Sequence, residues 1–285
     1  MEQLSIKAYA KINLFLNIKG IRDDGYHELE MVMQSINLYD NIKISSRKKG
    51  INIETNSDEI PTGKDNLAYK AAQRVIDESN FSKGVNIFID KNIPVAAGLA
   101  GGSTDAAAVI KGMNKYFNLD LEKDKLHDIA SQVGSDVPFC LKPGTAFATG
   151  RGDKLEYLNS LKSYKVILVK PPVMVSTKKI YEMYDKSNYN IEIPIKKLLS
   201  NIKKRNSLNI KDGWANVLEP VTKNIVKEVE TIENILKNKG FDFTLMTGSG
   251  PTVFSLVEKS KKELIEKTVQ NWQRKQDFIT HTETI

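Results

Sequence analysis

One stretch constrains this chain more than any other: Pro94-Val95-Ala96-Ala97-Gly98-Leu99-Ala100-Gly101-Gly102-Ser103-Thr104-Asp105-Ala106-Ala107-Ala108. Before it, Val85-Asn86-Ile87-Phe88-Ile89-Asp90 alternates apolar and polar residues, the pattern of a half-buried strand. After it, Ala106-Ala107-Ala108-Val109-Ile110 opens a run of strong helix formers. A glycine-rich turn therefore joins a strand to a helix. Gly98, Gly101 and Gly102 are expected to supply positive φ and close backbone approach, and Ser103, Thr104 and Asp105 to cap the helix start. Unbonded N–H groups of a first helical turn, together with the positive end of the helix dipole, favour phosphate at such a point. A glycine turn before a capped helix is also an ordinary structural device, so spacing alone leaves both readings open.

Three familiar phosphate motifs do not fit. A Walker A loop needs Gly-Lys-Ser/Thr, whereas Gly63-Lys64 is followed by Asp65. Gly98-Leu99-Ala100-Gly101-Gly102 lacks the spacing of a dinucleotide fingerprint. The chain has neither the His-Arg-Asp nor the Asp-Phe-Gly of protein kinases.

At 285 residues the chain is long enough for two ordinary domains. Its net charge of +7 rests on 36 Lys and only 6 Arg, spread along the sequence. Base readout relies heavily on Arg, so no nucleic-acid partner is expected, although a positive field would draw in a polyphosphate. Apolar runs such as Val166-Ile167-Leu168-Val169 are strand-sized, so no membrane partner is expected either. Met1-Glu2-Gln3-Leu4-Ser5 lacks the basic flank and apolar core of a leader, and the lone Cys140 cannot form an internal disulfide. Both fit a cytoplasmic protein, monomer or homodimer.

Residues 4–18 alternate as a strand, with Ile12, Leu14, Leu16 and Ile18 on one face and Lys11 and Asn13 on the other. A lone strand lysine is usually just the solvated face. Asp23-Asp24-Gly25 is turn chemistry that projects Tyr26 and His27 ahead of a strand over 31–38. Further strands are expected over 42–45 and 51–54, and a helix capped by Asp65 or Asn66. A second helix over 126–133 should end at Gly134, followed by Asp136, which reads as a helix cap or Asx turn. A strand over 144–153 leads into a Gly-Arg-Gly turn, and residues 155–165 read as a connection. Residues 166–169 form a buried strand, 193–202 and 221–239 amphipathic helices, 253–257 a strand, and 264–278 a surface helix before a last strand.

The loop resembles the Pro-x-x-x-Gly-Leu-x-x-Gly-Ser-x-x-Ala phosphate loop of the GHMP kinases. Lys11-Ile12-Asn13-Leu14, Gly134-Ser135-Asp136-Val137-Pro138-Phe139 and Met246-Thr247-Gly248-Ser249-Gly250-Pro251-Thr252 extend the match in the family's order. Gly25-Tyr26-His27-Glu28-Leu29 resembles one branch, whose acceptor is 4-diphosphocytidyl-2-C-methyl-D-erythritol. The resemblance implies an α+β fold. An N-terminal ATP-binding domain over 1–160 and a ferredoxin-like substrate domain over 161–285 would face each other across the active site. It also implies a crossover hand in the N-terminal domain that general rules would not give.

By the same resemblance, Pro94, Gly98, Leu99, Ala100, Gly101, Gly102, Ser103 and Thr104 hold the triphosphate, and Asn66 lies near the adenosine or merely caps its helix. Asp136 would be the catalytic base, with Lys11 keeping it ionised and orienting the acceptor. Asn13, Tyr26, His27, Tyr181 and Gly248 belong to the second substrate, with Tyr184 an alternative to Tyr181 against the cytosine ring. ATP brings Mg2+, for which Ser103 is a candidate ligand. The rival readings are a homoserine- or mevalonate-type kinase, a non-catalytic nucleotide-binding member, and an RNA-binding protein.

Overall fold

In a computed structural model, residues 3–79, 81–159, 161, 164–187, 189, 195–203, 213–241 and 243–285 are described. Among the described residues the strands are β1 (Leu4–Ile21), β2 (His27–Arg47), β3 (Ile51–Thr55), β4 (Gly84–Asp90), β5 (Thr145–Thr149), β6 (Lys154–Tyr157), β7 (Lys165–Lys170), β8 (Ala215–Asn216), β9 (Leu245–Met246), β10 (Val253–Val257) and β11 (Phe278–Glu283). The helices are α1 (Leu67–Asp77), α2 (Gly101–Tyr116), α3 (Lys123–Val133), α4 (Val137–Cys140), α5 (Thr177–Asp185), α6 (Lys196–Lys203), α7 (Glu219–Ile225), α8 (Lys227–Asn238) and α9 (Lys262–Gln270). The chain forms two compact units, one of Met1–Ala10, Leu38–Val95 and Ala100–Pro143, the other of Lys11–Asn37, Ala96–Leu99 and Gly144–Ile285.

In the first unit β4 pairs antiparallel with the second half of β2, Ile44 opposite Ile87, and parallel with β3, Ile53 opposite Ile87. Ile42, Ile44, Ile87 and Ile89 are fully or almost fully buried and pack with Ala71, Ala72 and Val75 of α1 and Ala106–Ile110 of α2. Small alanines let these helices approach the isoleucine face closely. Each buried isoleucine contributes about 1.5–3 kcal/mol of burial free energy.

In the second unit the order β7, helices, β9, β10, α9, β11 builds a four-stranded sheet, β11-β7-β10-β9. Every pairing in it is antiparallel, which is the split βαββαβ, ferredoxin-like arrangement expected for this half. Central β7 buries Val166, Ile167, Leu168 and Val169 completely, which explains their unbroken apolar run. The same unit holds the first half of β2 paired with β5, β5 paired with β6, and Phe15-Leu16 of β1 running parallel to β8.

Four expected elements differ from those observed, among them the helix over 264–278, which is α9 and ends at Gln270. The strands over 31–38 and 42–45 are one strand, β2, because Tyr39-Asp40-Asn41 stays extended, with Asn41 paired to Asp90 of β4. Residues 155–157 of the expected connection, together with Lys154, form β6, since the Gly150-Arg151-Gly152 turn closes a hairpin. The helix over 221–239 breaks at the buried Val226, whose φ of −125° and ψ of 86° are not helical. The helix over 193–202 is observed as α6, and residues 193 and 194 lie outside the described residues.

Candidate active site

The glycine-rich loop takes a different path to its helix from the one residue types suggest. Left-handed backbone occurs at Ala96 (φ 50°), Gly98 (φ 73°) and Ala100 (φ 58°), and Gly101 and Gly102 are already helical. Helix α2 thus opens at Gly101, with Ala100 at its N-cap and no side-chain cap. Ser103, Thr104 and Asp105, expected as caps, lie inside the first turns, where Thr104 N donates to Ala100 O at 2.9 Å. A helix start without a side-chain cap leaves first-turn N–H groups for another acceptor. Pro94 and Ser103 are half-buried, Leu99 is buried and Gly102 is exposed.

Gly101 is small for a specific reason. A Cβ there would sit 2.8 Å from Lys91 Nζ, and Lys91 cannot swing away. Its ammonium pairs with Asp40 and, at 3.0 Å, with Asp105 of α2, and all three side chains are at most 5% exposed. Asp40 also accepts from Asn92 N at 2.5 Å and Ile93 N at 2.8 Å, fixing the chain just before Pro94. Two buried carboxyls share one cation, so one of them keeps a proton. Burial pushes Asp105 up to about 8, with Lys91 opposing the rise and Asp40 adding to it. Burial alone would lower Lys91, but Asp105 and Asp40 raise it instead. Asp105 Oδ1 and the neighbouring Thr104 Oγ1 are buried without a hydrogen-bond partner among the described residues. Sequence reasoning missed this cluster because its members stand on three separate segments.

Lys11 is not on a solvated face. It is 4% exposed and Asn13 is 1% exposed, so β1 is buried on both faces here. Lys11 Nζ donates to Asn13 Oδ1 at 2.6 Å and to Gly98 O at 3.2 Å. Asn13 Nδ2 is turned toward Met31 Sδ at 3.4 Å. Thr247 Oγ1 accepts from Asn13 N at 3.0 Å and donates to Gly98 O at 3.3 Å. The turn after β9 closes this knot: Asn216 Nδ2 donates to Met246 O and Gly248 O, and Gly248 lies with its Cα side toward Gly98 O. A Cβ on Gly98 would stand 2.3 Å from Thr247 O, so only glycine allows the contact. Lys11, Asn13, Gly98 and Gly248, far apart in sequence, therefore meet. Thr247 was quoted in a motif but given no role by sequence reasoning; its central place in the knot comes from tertiary contact.

A second group in the same unit gathers around His27. Its ring lies 4.8 Å from that of Tyr181, tilted by 41°, so of the two candidate tyrosines it is Tyr181 whose ring meets His27. Tyr184 is half-buried, and burial, reinforced by Asp185, raises the pKa of its hydroxyl. Tyr26 is exposed, and the Arg151 guanidinium lies 5.0 Å from its ring centroid. His27 Nε2 contacts Asp185 Oδ1 at 2.7 Å. Neither Arg151 nor Asp185 was singled out from sequence. The signal for Asp185 was its i+4 spacing from Tyr181, which places both on one face of α5.

In the first unit Asn66 caps α1, accepting from Ala68 N at 2.8 Å and donating to Pro61 O at 2.6 Å. Asp136 is half-buried and occupies the N-cap position of α4, as a cap reading expects, although its side chain makes no capping bond to that helix. Among the described residues no three His, Cys, Asp or Glu side chains gather as a metal site. No helix among them is long and apolar enough to cross a membrane.

A glycine-rich loop feeding an open helix start, in a chain that also carries a ferredoxin-like sheet, defines the GHMP type of kinase fold. The family model described as the GHMP kinases N terminal domain matches residues 66–144, and the GHMP kinases C terminal model matches 196–275. The 4-diphosphocytidyl-2-C-methyl-D-erythritol kinase of Clostridium beijerinckii is 43% identical, covering 98% of this chain and 100% of that protein. The enzyme of that name from Acetivibrio thermocellus is 43% identical over 99% and 100%. A crystal structure of a 4-(cytidine 5'-diphospho)-2C-methyl-D-erythritol kinase superposes with a TM-score of 0.80 at 27% identity, covering 99% of this chain and 100% of that one. A homoserine kinase from Cytophaga hutchinsonii shares the fold at TM-score 0.75 and 15% identity, covering 99% and 94%. The chain belongs to the GHMP kinases, in the branch of the 4-diphosphocytidyl-2-C-methyl-D-erythritol kinases.

Proposed function

We propose that this protein transfers the γ-phosphoryl group of ATP to the 2-hydroxyl of 4-diphosphocytidyl-2-C-methyl-D-erythritol, a substrate whose kinase its full-length relatives are named as. The observation that carries this reading is the meeting of His27 and Tyr181 at 4.8 Å. An aromatic wall beside an imidazole suits a nucleobase, which homoserine and mevalonate lack. In the reaction the acceptor oxygen bonds to the γ-phosphorus, the bond from that phosphorus to the β,γ-bridging oxygen breaks, and ADP leaves. The hydroxyl proton passes to Asp136 as general base.

Phosphoryl transfer asks mainly for positioning and charge stabilisation. Pro94, Gly98, Leu99, Ala100, Gly101, Gly102, Ser103 and Thr104 would wrap the triphosphate at the start of α2, and Asn66 would lie near the adenosine while capping α1. Lys11 would orient the acceptor and favour the ionised base. Its ammonium is held in place by two neutral acceptors, Asn13 Oδ1 and Gly98 O. Asn13 and Gly248 would flank the acceptor, and Tyr26, His27 and Tyr181 the cytosine.

Mg2+ would arrive on the triphosphate, since it keeps water and phosphate oxygens and needs few protein ligands. The positive start of α2 suits the phosphates that would carry the ion, and Ser103, half-buried in that first turn, would be its candidate protein ligand. When bound, the ion would neutralise charge on the transferring group. We divide the function near residue 160, with ATP binding before it and acceptor binding mainly after it. We place the protein in the cytoplasm, in accord with a single cysteine that is not in a disulfide. The test is turnover of ATP with the diphosphocytidyl substrate, homoserine and mevalonate in parallel, the product being identified by phosphorus NMR. A new phosphomonoester on the diphosphocytidyl substrate alone is expected, and turnover only with homoserine or mevalonate would overturn the assignment.

A further inference from the structure

We infer that Asp185 is a positioning residue for base selection: it holds the His27 ring in the tautomer whose outward nitrogen accepts, so that the site takes a cytidine diphosphate ester over its uridine counterpart. The inference rests on the reading of Tyr26, His27 and Tyr181 as a base pocket and adds the group that gives that pocket its direction.

The starting point is the 2.7 Å contact between His27 Nε2 and Asp185 Oδ1. An ionised carboxylate only accepts hydrogen bonds, so the hydrogen between them sits on Nε2. In the neutral ring Nδ1 then has no hydrogen and is an acceptor. Cytosine presents an exocyclic amine, a donor, where uracil presents a carbonyl oxygen, an acceptor. An Nδ1 acceptor pairs with the first and opposes the second. The tilted Tyr181 ring 4.8 Å from the imidazole restricts ring rotation, so the tautomer set at Nε2 is displayed in one direction.

The placement of Asp185 argues that it serves this contact and not its helix. It is the last residue of α5, where the helix dipole disfavours an anion, and that turn has no basic residue to offset it. Tyr181 lies four residues earlier on the same helix, so one face of α5 supplies both the ring that packs on His27 and the carboxylate that orients it. Base stacking is tolerant of base identity, so the tyrosines alone supply affinity without choice. Selection has to come from a directional polar group, and a site that leaves a buried polar group unpaired can reject the wrong analogue by several orders of magnitude.

The test compares kcat/KM for the cytidyl and uridyl substrates in the parent, Asp185→Asn and Asp185→Glu. The Asn side chain can donate to Nε2 and so allow the opposite tautomer. Asp185→Asn is therefore expected to lower the cytidyl-to-uridyl ratio at least tenfold, with the KM for ATP unchanged, while Asp185→Glu keeps most of the preference. Nitrogen-15 NMR of His27 should report Nδ1 as the unprotonated nitrogen in the parent and a changed tautomer ratio in Asp185→Asn. An unaltered ratio in Asp185→Asn, in a parent that does prefer the cytidyl substrate, overturns the role of Asp185 and leaves the pocket reading intact. A parent that turns over neither nucleotide ester overturns the pocket reading itself.

Discussion

A buried carboxyl whose pKa is raised makes the fold less stable as pH rises toward that value, and Asp105 is such a group. Its value of about 8 lies above the usual carboxylate range, so between the two the folded chain holds a proton that the unfolded chain has lost. The folded state binding more protons means that stability falls as pH rises through this window. Asp105→Asn replaces the protonated acid with a neutral amide of the same shape, and equilibrium denaturation from pH 5 to 9 should show a flatter stability profile than the parent. A profile as steep as the parent's would place the proton elsewhere. At Asp136 the expected effect is on rate: Asp136→Asn should lower kcat by roughly a hundred to ten thousand fold, the usual range for a general base. Calorimetry should find ATP affinity within a few fold of the parent, and turnover near the parent's would remove Asp136 from the chemistry. Both residues stood in motifs, but only Asp136 was marked there as a titrating group; Asp105 was read as a helix cap. Asp105 acquires its character from burial, with Asp40 adding to the rise and Lys91 opposing it, and no local pattern connects it to either. Lys11 shows the converse, since strand alternation put it on the correct face and then wrongly implied that the face was wet.

The elements themselves were largely legible, because most are set by periodicity and capping that act within a few residues. Alternation marked β1, β4 and β10, and Asn66 and Gly134 marked the ends of α1 and α3. What failed were features decided by distant partners: the continuity of β2, which β4 enforces, and β8, whose two residues are a strand only because β1 runs beside them. The helix start failed for a different reason, since residue types favoured capping by Ser103, Thr104 or Asp105 while the backbone turns into the helix at Gly101 after two left-handed alanines. This geometry separates the glycines by experiment. At Gly98, positive φ and a Cβ 2.3 Å from Thr247 O mean that Gly98→Ala should destabilise the fold, by on the order of 2 kcal/mol or more. At exposed Gly102 a Cβ meets only Leu67 Cδ1, at 3.5 Å, and alanine is the better helix former, so Gly102→Ala should be neutral to about 1 kcal/mol stabilising. The added methyl would nevertheless stand where phosphate approaches the helix start. Thermal melts and ATP titrations should therefore diverge for Gly102→Ala, with Tm held or raised and affinity reduced. Unchanged affinity would take the start of α2 out of the nucleotide site.

At the scale of the whole molecule the fold leaves the acceptor open, since chains named as homoserine kinase and mevalonate kinase share it at 15% and 18% identity. On the proposed function, choice of acceptor resides in the side chains gathered around His27, and ligand-linked stability reads that choice without assuming turnover. A ligand at a hundred times its dissociation constant adds about 2.7 kcal/mol to the folded state, and one bound a hundredfold more weakly adds only about 0.4 kcal/mol at the same concentration. With roughly 2–4 °C of Tm per kcal/mol for chains of a few hundred residues, the two differ by about 5–9 °C, well within reach of a melt. The melts should be run with ADP saturating, so that an added nucleotide cannot register merely by occupying the phosphate loop. Under that condition CDP should raise Tm by several degrees, UDP by much less, and homoserine and mevalonate not at all. Single-stranded RNA at physiological salt should also leave Tm unchanged, because the charge of +7 is carried by scattered lysines that form no arginine-rich reading surface. A shift with homoserine or mevalonate but not with CDP would keep the kinase and discard the cytidyl acceptor, whereas a shift with RNA alone would discard the small-molecule reading altogether.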